Sequence, residues 1–391
     1  MDGLVGFPLA RYFTPDDLQR GAEWMRTQNL CNAVSFLLDS AVLLAFSLGA
    51  PGRALWDACA RRESSRASVL DRVLGPRWRP AGAFLGVVVF LRSAVMLPVT
   101  LFAFRTAHRI GLSQESVPSF LRRMIVQAAV LSIGSVLIGA VIGALRGRWP
   151  RSWWLVIGIV AGLVLAAETV VDPLFDHANF RVHPLPAGPL RNRLETLLAS
   201  RQSPVSNIVT IDASRYGTQA NAYVTGFGPT RRIVLTDTLL AYGDDAVVGA
   251  VAHEIGHRRD DRLPFRLACA GLGMVALLWF VERCLAWKER HGAGHPVLGV
   301  PLAMWGLMLI LTALLPIRAA RDRAEEVEAD GVELSIRRDY DAYVDEQVRL
   351  ARSNALDPDP PAFLRMLLNH PTVAERIGRA LWYKEHASAL P

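Results

Sequence analysis

The sequence predicts a mainly α fold: a polytopic transmembrane helix bundle of about six spans, with a small α+β domain interleaved. Three observations lead there. Hydrophobic residues make up 51% of the 391 residues and charged residues only 20%, at a mean hydropathy of +0.24, so the chain is more apolar than a soluble protein of this length needs to be. Several apolar runs approach the ~20 residues that cross a bilayer as a helix. Between the fourth and fifth runs the pattern changes to short β-rich segments separated by glycine and proline.

In chain order, Thr14 is a cap-type residue, Pro15 suits the first helical position, and Asp16 and Asp17 suit the first turn. An amphipathic helix at the membrane surface is therefore expected to open the chain. Four spans follow at about 31–49, 82–104, 124–145 and 153–171. Pro98 is expected to kink the second, and Trp153 and Trp154 to anchor the fourth at the interface. Asp39, Arg92 and Glu168 are ionisable groups at membrane depth, which face a bundle interior, pair with one another or snorkel to the surface. Asp172-Pro173 ends the fourth span. A helix over Leu190–Ala199 and short strands over Val205–Ile211 and Arg232–Leu235 come next, with turn signals at Gly226 and Gly228-Pro229. Apolar runs at about 265–282 and 297–317 form a transmembrane hairpin, and 318–391 is polar and helical in pattern. The expected divisions are 1–171, 172–263, 264–317 and 318–391.

The chemistry is concentrated in His253-Glu254-Ile255-Gly256-His257, an H-E-x-x-H pattern. Asp244 and Asp245 are cap-type residues, and an apolar run without proline follows, so the motif sits on a helix. Two histidines four apart share one helix face and can reach one Zn²⁺, with Glu254 beside them as a general base. A catalytic zinc needs a third protein ligand. Glu325-Glu326-Val327-Glu328-Ala329-Asp330 offers three glutamates. Glu326 is favoured because Asp330, four residues on, can take the free ring N–H of a histidine ligand. His370 and Arg376 are candidates to stabilise an oxyanion.

A formal charge of +7 raises the question of nucleic acid, but the arginines flank apolar segments rather than forming a stripe with aromatics, so no nucleic-acid partner is expected. Cys31, Cys59, Cys269 and Cys284 form no C-x-x-C pair, which predicts neither disulfides nor a thiolate metal site. Met1-Asp2-Gly3 lacks a basic n-region, and no cleaved signal peptide is expected.

These motifs, in this order, resemble the family of integral-membrane zinc metalloproteases that includes CAAX prenyl protease 1 and the HtpX-like proteases. The resemblance is carried by Asp172-Pro173-Leu174-Phe175, by Ser214-Arg215 followed by Asn221-Ala222-Tyr223, and by Arg232-Ile233-Val234-Leu235 with Asp237-Thr238-Leu239-Leu240. Completing it are His253-Glu254-x-x-His257, Glu326-x-x-Ala329-Asp330 and His370-Pro371 with Arg376-Ile377. It covers about 170 to 380 well and 1–170 in pattern only. The resemblance implies a zincin-like catalytic domain holding one Zn²⁺ on His253, His257 and Glu326, with Asp330 behind a ligand and Glu254 as base. It implies His370 and Arg376 as catalytic-site residues, Asn221-Ala222-Tyr223 as an edge strand that takes extended substrate, and a membrane chamber around the site. The family's eukaryotic members have seven spans where this chain shows six.

The resemblance also implies a lipid bilayer and peptide or protein substrates, some membrane-anchored, as partners. It places the active site on the cytoplasmic face, and the arginine bias and short loops suggest a bacterial plasma membrane. The 51–80 loop, which that orientation places outside, carries seven arginines against three acids, so the positive-inside rule discriminates poorly. Site-2-type intramembrane proteolysis is excluded by the charges packed around the motif. A metal transporter is disfavoured because Arg92 would repel cations. A non-catalytic scaffold or holdase is the alternative function, and the intact Glu254 argues against it.

Overall fold

The structure is a computed structural model and describes residues 8–61, 78–113, 115–163, 180–203, 205, 207–215, 220–226, 230–257, 263–291 and 295–386. Glu168, the Asp172–Phe175 stretch, Gly228-Pro229 and most arginines of the 51–80 loop lie outside the described residues. The helices relevant to the spans are α1 (Pro15–Leu48), α2 (Ala50–Arg61), α3 (Trp78–Arg109), α4 (Val117–Arg148) and α5 (Trp153–Leu163). The middle of the chain forms β1 (Val182–Pro184), α6 (Pro189–Ser200), β2 (Asn207–Ile211), β3 (Ala222–Thr225), β4 (Arg232–Thr236), α7 (Asp237–Leu240) and α8 (Asp244–Gly256). The long helices α9 (Leu263–Arg290) and α10 (Gly299–Arg337) follow, then α11 (Tyr340–Ser353), α12 (Ala362–Arg365) and α13 (Val373–Glu385).

Among the described residues five helices, α1, α3, α4, α9 and α10, are long and apolar enough to cross a membrane. The protein is an integral membrane protein, mostly helical, with a small sheet interleaved. Of the fourth expected span, only the eleven residues of α5 are described. The expected surface helix and first span are one 34-residue helix, α1, because no glycine or proline falls between them. Its start is as expected: Thr14 Oγ1 accepts from Asp17 N at 3.2 Å, and Thr14 N donates to Asp17 Oδ2 at 3.0 Å.

The chain divides into two compact units, one drawn from 1–22, 163–268 and 314–391 and the other from 23–162 and 269–313. In the second, the span unit, α3 and α4 meet on glycine. A Cβ at Gly82 would lie 2.6 Å from Val136 O, and one at Gly139 would lie 2.7 Å from Ala81 O. Small residues let helices approach closely where lipid removes the hydrophobic drive. Ile125, Val130 and Leu137 of α4 stay exposed, as lipid-facing side chains must. Asp39 and Arg92 form a bidentate pair, Nε to Oδ1 at 2.5 Å and Nη2 to Oδ2 at 2.8 Å. Trp153 is fully buried rather than an interface anchor, because its indole N–H donates to the buried Glu282 at 2.7 Å. Arg146 Nε also donates to Glu282 at 3.1 Å.

The other unit carries the sheet, in the order β1-β2-β4-β3. β2 and β4 are parallel, while β1 and β3 pair antiparallel with their neighbours, so β3 is an edge strand. Every residue of the central strand β4 is buried. Leu194 and Leu198 of α6, Ile233 and Leu235 of β4, Ala222 of β3, and Val247, Val251 and Ala252 of α8 share one core. The expected Ser214-Arg215 and Asp237-Thr238 stretches are joined directly, since Ser214 N donates to Asp237 Oδ1 at 2.9 Å.

Candidate metal centre

Helix α8 is apolar along most of its length and packs on the sheet. Gly243, at φ +95°, caps it, and Asp244 and Asp245 occupy its first turn rather than the cap. Val247, Val251 and Ala252 face the core, which turns His253 and the end of the helix toward α10. The helix ends at Gly256, with His257 in extended backbone at its C-cap. Where α8 meets α10, glycine is required: a Cβ at Gly256 would lie 2.6 Å from Ala329 Cα. That contact brings the H-E-x-x-H turn against the turn that carries Glu326 and Asp330.

Donor atoms of three side chains converge there. His253 Nε2 lies 3.2 Å from His257 Nε2, Glu326 Oε2 lies 3.4 Å from His253 Nε2, and Glu326 Oε1 lies 3.5 Å from His257 Nε2. A tetrahedral metal with bonds of about 2.0–2.1 Å requires donors about 3.3–3.4 Å apart. The donor set therefore fits a four-coordinate metal with one position left for water. Glu254, His253 and His257 also bring ligand-type atoms within 4.8 Å of one another. Glu325 is turned away and pairs with Arg321 at 3.1 Å, while Glu328 is exposed.

Behind the donors lies a buried polar cluster. Asp330, with no exposed side-chain surface, sets Oδ1 3.3 Å from His253 Nδ1. Its Oδ2 accepts from Arg379 Nη1 at 3.2 Å and lies 3.4 Å from Arg376 Nε. Arg376 Nη2 donates to Glu326 Oε2 at 2.8 Å, and His370 Nδ1 lies 3.0 Å from the same oxygen. The register of α13 comes from a capping box in which Thr372 and Glu375 bond each other's backbone N–H. With its first turn fixed, Arg376 and Arg379, three apart, share a face. Arg323 holds the preceding turn through the carbonyls of Arg365 and Leu368.

The electrostatics follow from this crowding. Burial disfavours a charge on His253, but hydrogen bonding to Asp330 and Glu326 outweighs it and pushes the pKa up to about 10. Burial acts to lower the Arg376 pKa, yet Asp330, Tyr343 and Glu326 raise it overall. Burial and Asp330 push the hydroxyl of the fully buried Tyr343 upward.

The sequence-predicted residues His253, Glu254, His257, Glu326, Asp330, His370 and Arg376 thus form one cluster. Asn221 precedes edge strand β3, which includes Ala222 and Tyr223 and packs on α8. Sequence reasoning missed Glu333, Arg337, Glu346 and Arg379. A signal existed: residues 326, 330, 333 and 337 follow 4-3-4 spacing on one helix face.

Residues 184–383, just over half of the chain, match peptidase family M48. A CAAX prenyl protease 1 homolog of Oryza sativa subsp. japonica is 33% identical over 184 residues, 45% of this chain and 42% of that protein. The match thus spans about two-fifths of that relative's length. An uncharacterized metalloprotease of Bacillus subtilis, YhfN, is 24% identical over 76% of this chain and 72% of its own length. The crystal structure of S. mikatae Ste24p shares the fold, with a TM-score of 0.74 at 19% identity, covering 95% of this chain and 91% of that one.

Proposed function

The chain belongs to peptidase family M48, and from that membership we propose that it is a membrane-embedded zinc endopeptidase with His253, His257 and Glu326 as ligands. The observation that carries this reading is the approach of two imidazole Nε2 atoms, 3.2 Å apart, to the carboxylate of Glu326, whose Oε2 lies 3.4 Å from His253 and whose Oε1 lies 3.5 Å from His257. Two imidazoles and a carboxylate suit zinc, and when bound it would lower the pKa of a water toward ~7 and polarise a peptide carbonyl.

The remaining work falls to side chains. Glu254 takes the proton of the attacking water and delivers it to the leaving amine. Asp330 Oδ1, 3.3 Å from His253 Nδ1, accepts from the Nδ1–H, which fixes the tautomer that leaves Nε2 free for the metal. His370, with 58% of its side chain exposed, can turn from Glu326 toward the oxygen that gains charge as the carbonyl is attacked. Arg376, only 15% exposed and bonded to Glu326, steadies the carboxylates and adds positive potential. Extended substrate would add to β3 at Asn221-Ala222-Tyr223, where backbone pairing recognises a peptide with little regard to its side chains.

The relatives' names suggest prenylated C-terminal substrates. In a bacterial plasma membrane, with the site on the cytoplasmic side, membrane-protein quality control is the competing task. The test incubates detergent-purified protein with a prenylated CAAX peptide and with an unfolded membrane protein, each with and without chelator. Chelator-sensitive cleavage is expected, and the preferred substrate distinguishes the two tasks. Cleavage that survives the chelator, or none of either substrate, would sink the reading.

A further inference from the structure

The Nδ1 of His253 faces two carboxylates, not one. Asp330 Oδ1 lies 3.3 Å away and Glu333 Oε2 lies 3.7 Å away. Asp330 is committed on its other oxygen, which meets both Arg379 and Arg376. Two guanidiniums on one carboxylate weaken its pull on an imidazole N–H. Glu333 is held differently. Its Oε1 lies 3.4 Å from Arg337 Nη1, while that same nitrogen donates to Glu346 Oε2 at 2.7 Å. One guanidinium is thus shared between two acids.

This second group is a built feature. The side chains of Glu333, Arg337 and Glu346 are 6%, 5% and 11% exposed. Burying three charges is expensive unless their geometry is used. Helix α8 makes room for them: a Cβ at Gly249 would lie 2.8 Å from both Arg337 Nη1 and Glu333 Oε1. Gly249 stands four residues before His253, so the space for the pair lies on the face from which the imidazole projects.

We propose that Glu333 is a second positioning carboxylate for His253, standing at ion-pair distance from Nδ1 beside the closer Asp330, and that Arg337 holds Glu333 there. The assignment rests on the zinc-site reading and deepens it. A carboxylate behind a metal-bound histidine raises the ligand's basicity, and losing one typically costs 10–100-fold in metal affinity.

The test compares the full-length wild type with Glu333→Gln and Glu346→Gln in detergent. Zinc affinity is measured by chelator competition, the visible spectrum is recorded after loading with Co²⁺, and thermal stability is followed in parallel. Both substitutions remove one carboxylate from Arg337, so a merely structural role would move stability and metal affinity together in both. The positioning role predicts that Glu333→Gln alone weakens zinc binding, by about tenfold, and alone shifts the cobalt spectrum. Wild-type affinity and spectrum in Glu333→Gln, or equal losses in the two variants, overturns the proposal. Failure of the wild type itself to bind one zinc per chain would instead remove the underlying site reading, and this assignment with it.

Discussion

The span unit and the metal unit both press helices together on glycine and both bury charge, yet they do so to different ends. In the span unit, Gly82 and Gly139 admit the backbone of the facing helix and only apolar side chains. Its buried acids are closed off by nearby donors: Asp39 by Arg92, and Glu282 by Arg146 and Trp153. In the metal unit, Gly256 admits the backbone at Ala329, but Gly249 makes room for Glu333 and Arg337. There the acids Glu326, Asp330, Glu333 and Glu346 outnumber the arginines Arg337, Arg376 and Arg379. Balanced pairs keep a bundle together in lipid, whereas carboxylates set against imidazole nitrogens offer donors to a cation.

The sharpest way to break this contrast is Glu326→Ala. It should abolish stoichiometric metal and reduce proteolysis to background, read by metal analysis and peptide cleavage, while the purified protein stays folded. Glu254→Gln should lower turnover by about 10²–10⁴-fold with metal content unchanged. Retained activity there would favour a scaffold over a protease. The two glycine seams can be set directly against each other. Gly256→Ala should weaken zinc affinity by at least about tenfold because the clash is with backbone beside the ligands. Gly82→Ala should cost about 1–3 kcal/mol of stability and leave metal affinity alone. Asp39→Asn should cost less, about 1–2 kcal/mol, since Arg92 is a third exposed, again without an effect on metal binding.

A gentler probe is pH. The folded pKa of metal-free His253 is raised to about 10 from an ordinary value of 6.5. The stability contributed by its protonated form is fully present below the ordinary value and lost as pH rises through the folded one. Zinc competes with the same proton. Its apparent affinity should therefore rise by about tenfold per pH unit across neutrality, measured by chelator competition. A flat profile would mean that His253 enters the site already neutral.

Much of this was legible in the sequence because helical spacing carries it. His253 with His257, and Glu326 with Asp330, are local pairs whose geometry follows from 3.6 residues per turn. Apolar runs likewise located the long helices. What stayed hidden depended on contacts between distant segments. Nothing local marks Arg379, which meets Asp330 because the Thr372–Glu375 capping box sets its helix. Glu333 and Arg337 had the right spacing, but nothing local says that a glycine on α8 opens a space for them. Trp153 failed as an interface anchor for the same reason, since its partner Glu282 lies 129 residues away.

The contact of Gly256 with Ala329 carries a further consequence. It fixes where two distant stretches of chain cross whether or not an ion is present, so the entropy of bringing the donors together is spent in folding rather than in capturing metal. Small zinc modules that assemble around their ion unfold when it is stripped away. Here chelation should leave a folded, silent protein that regains activity as soon as zinc is returned.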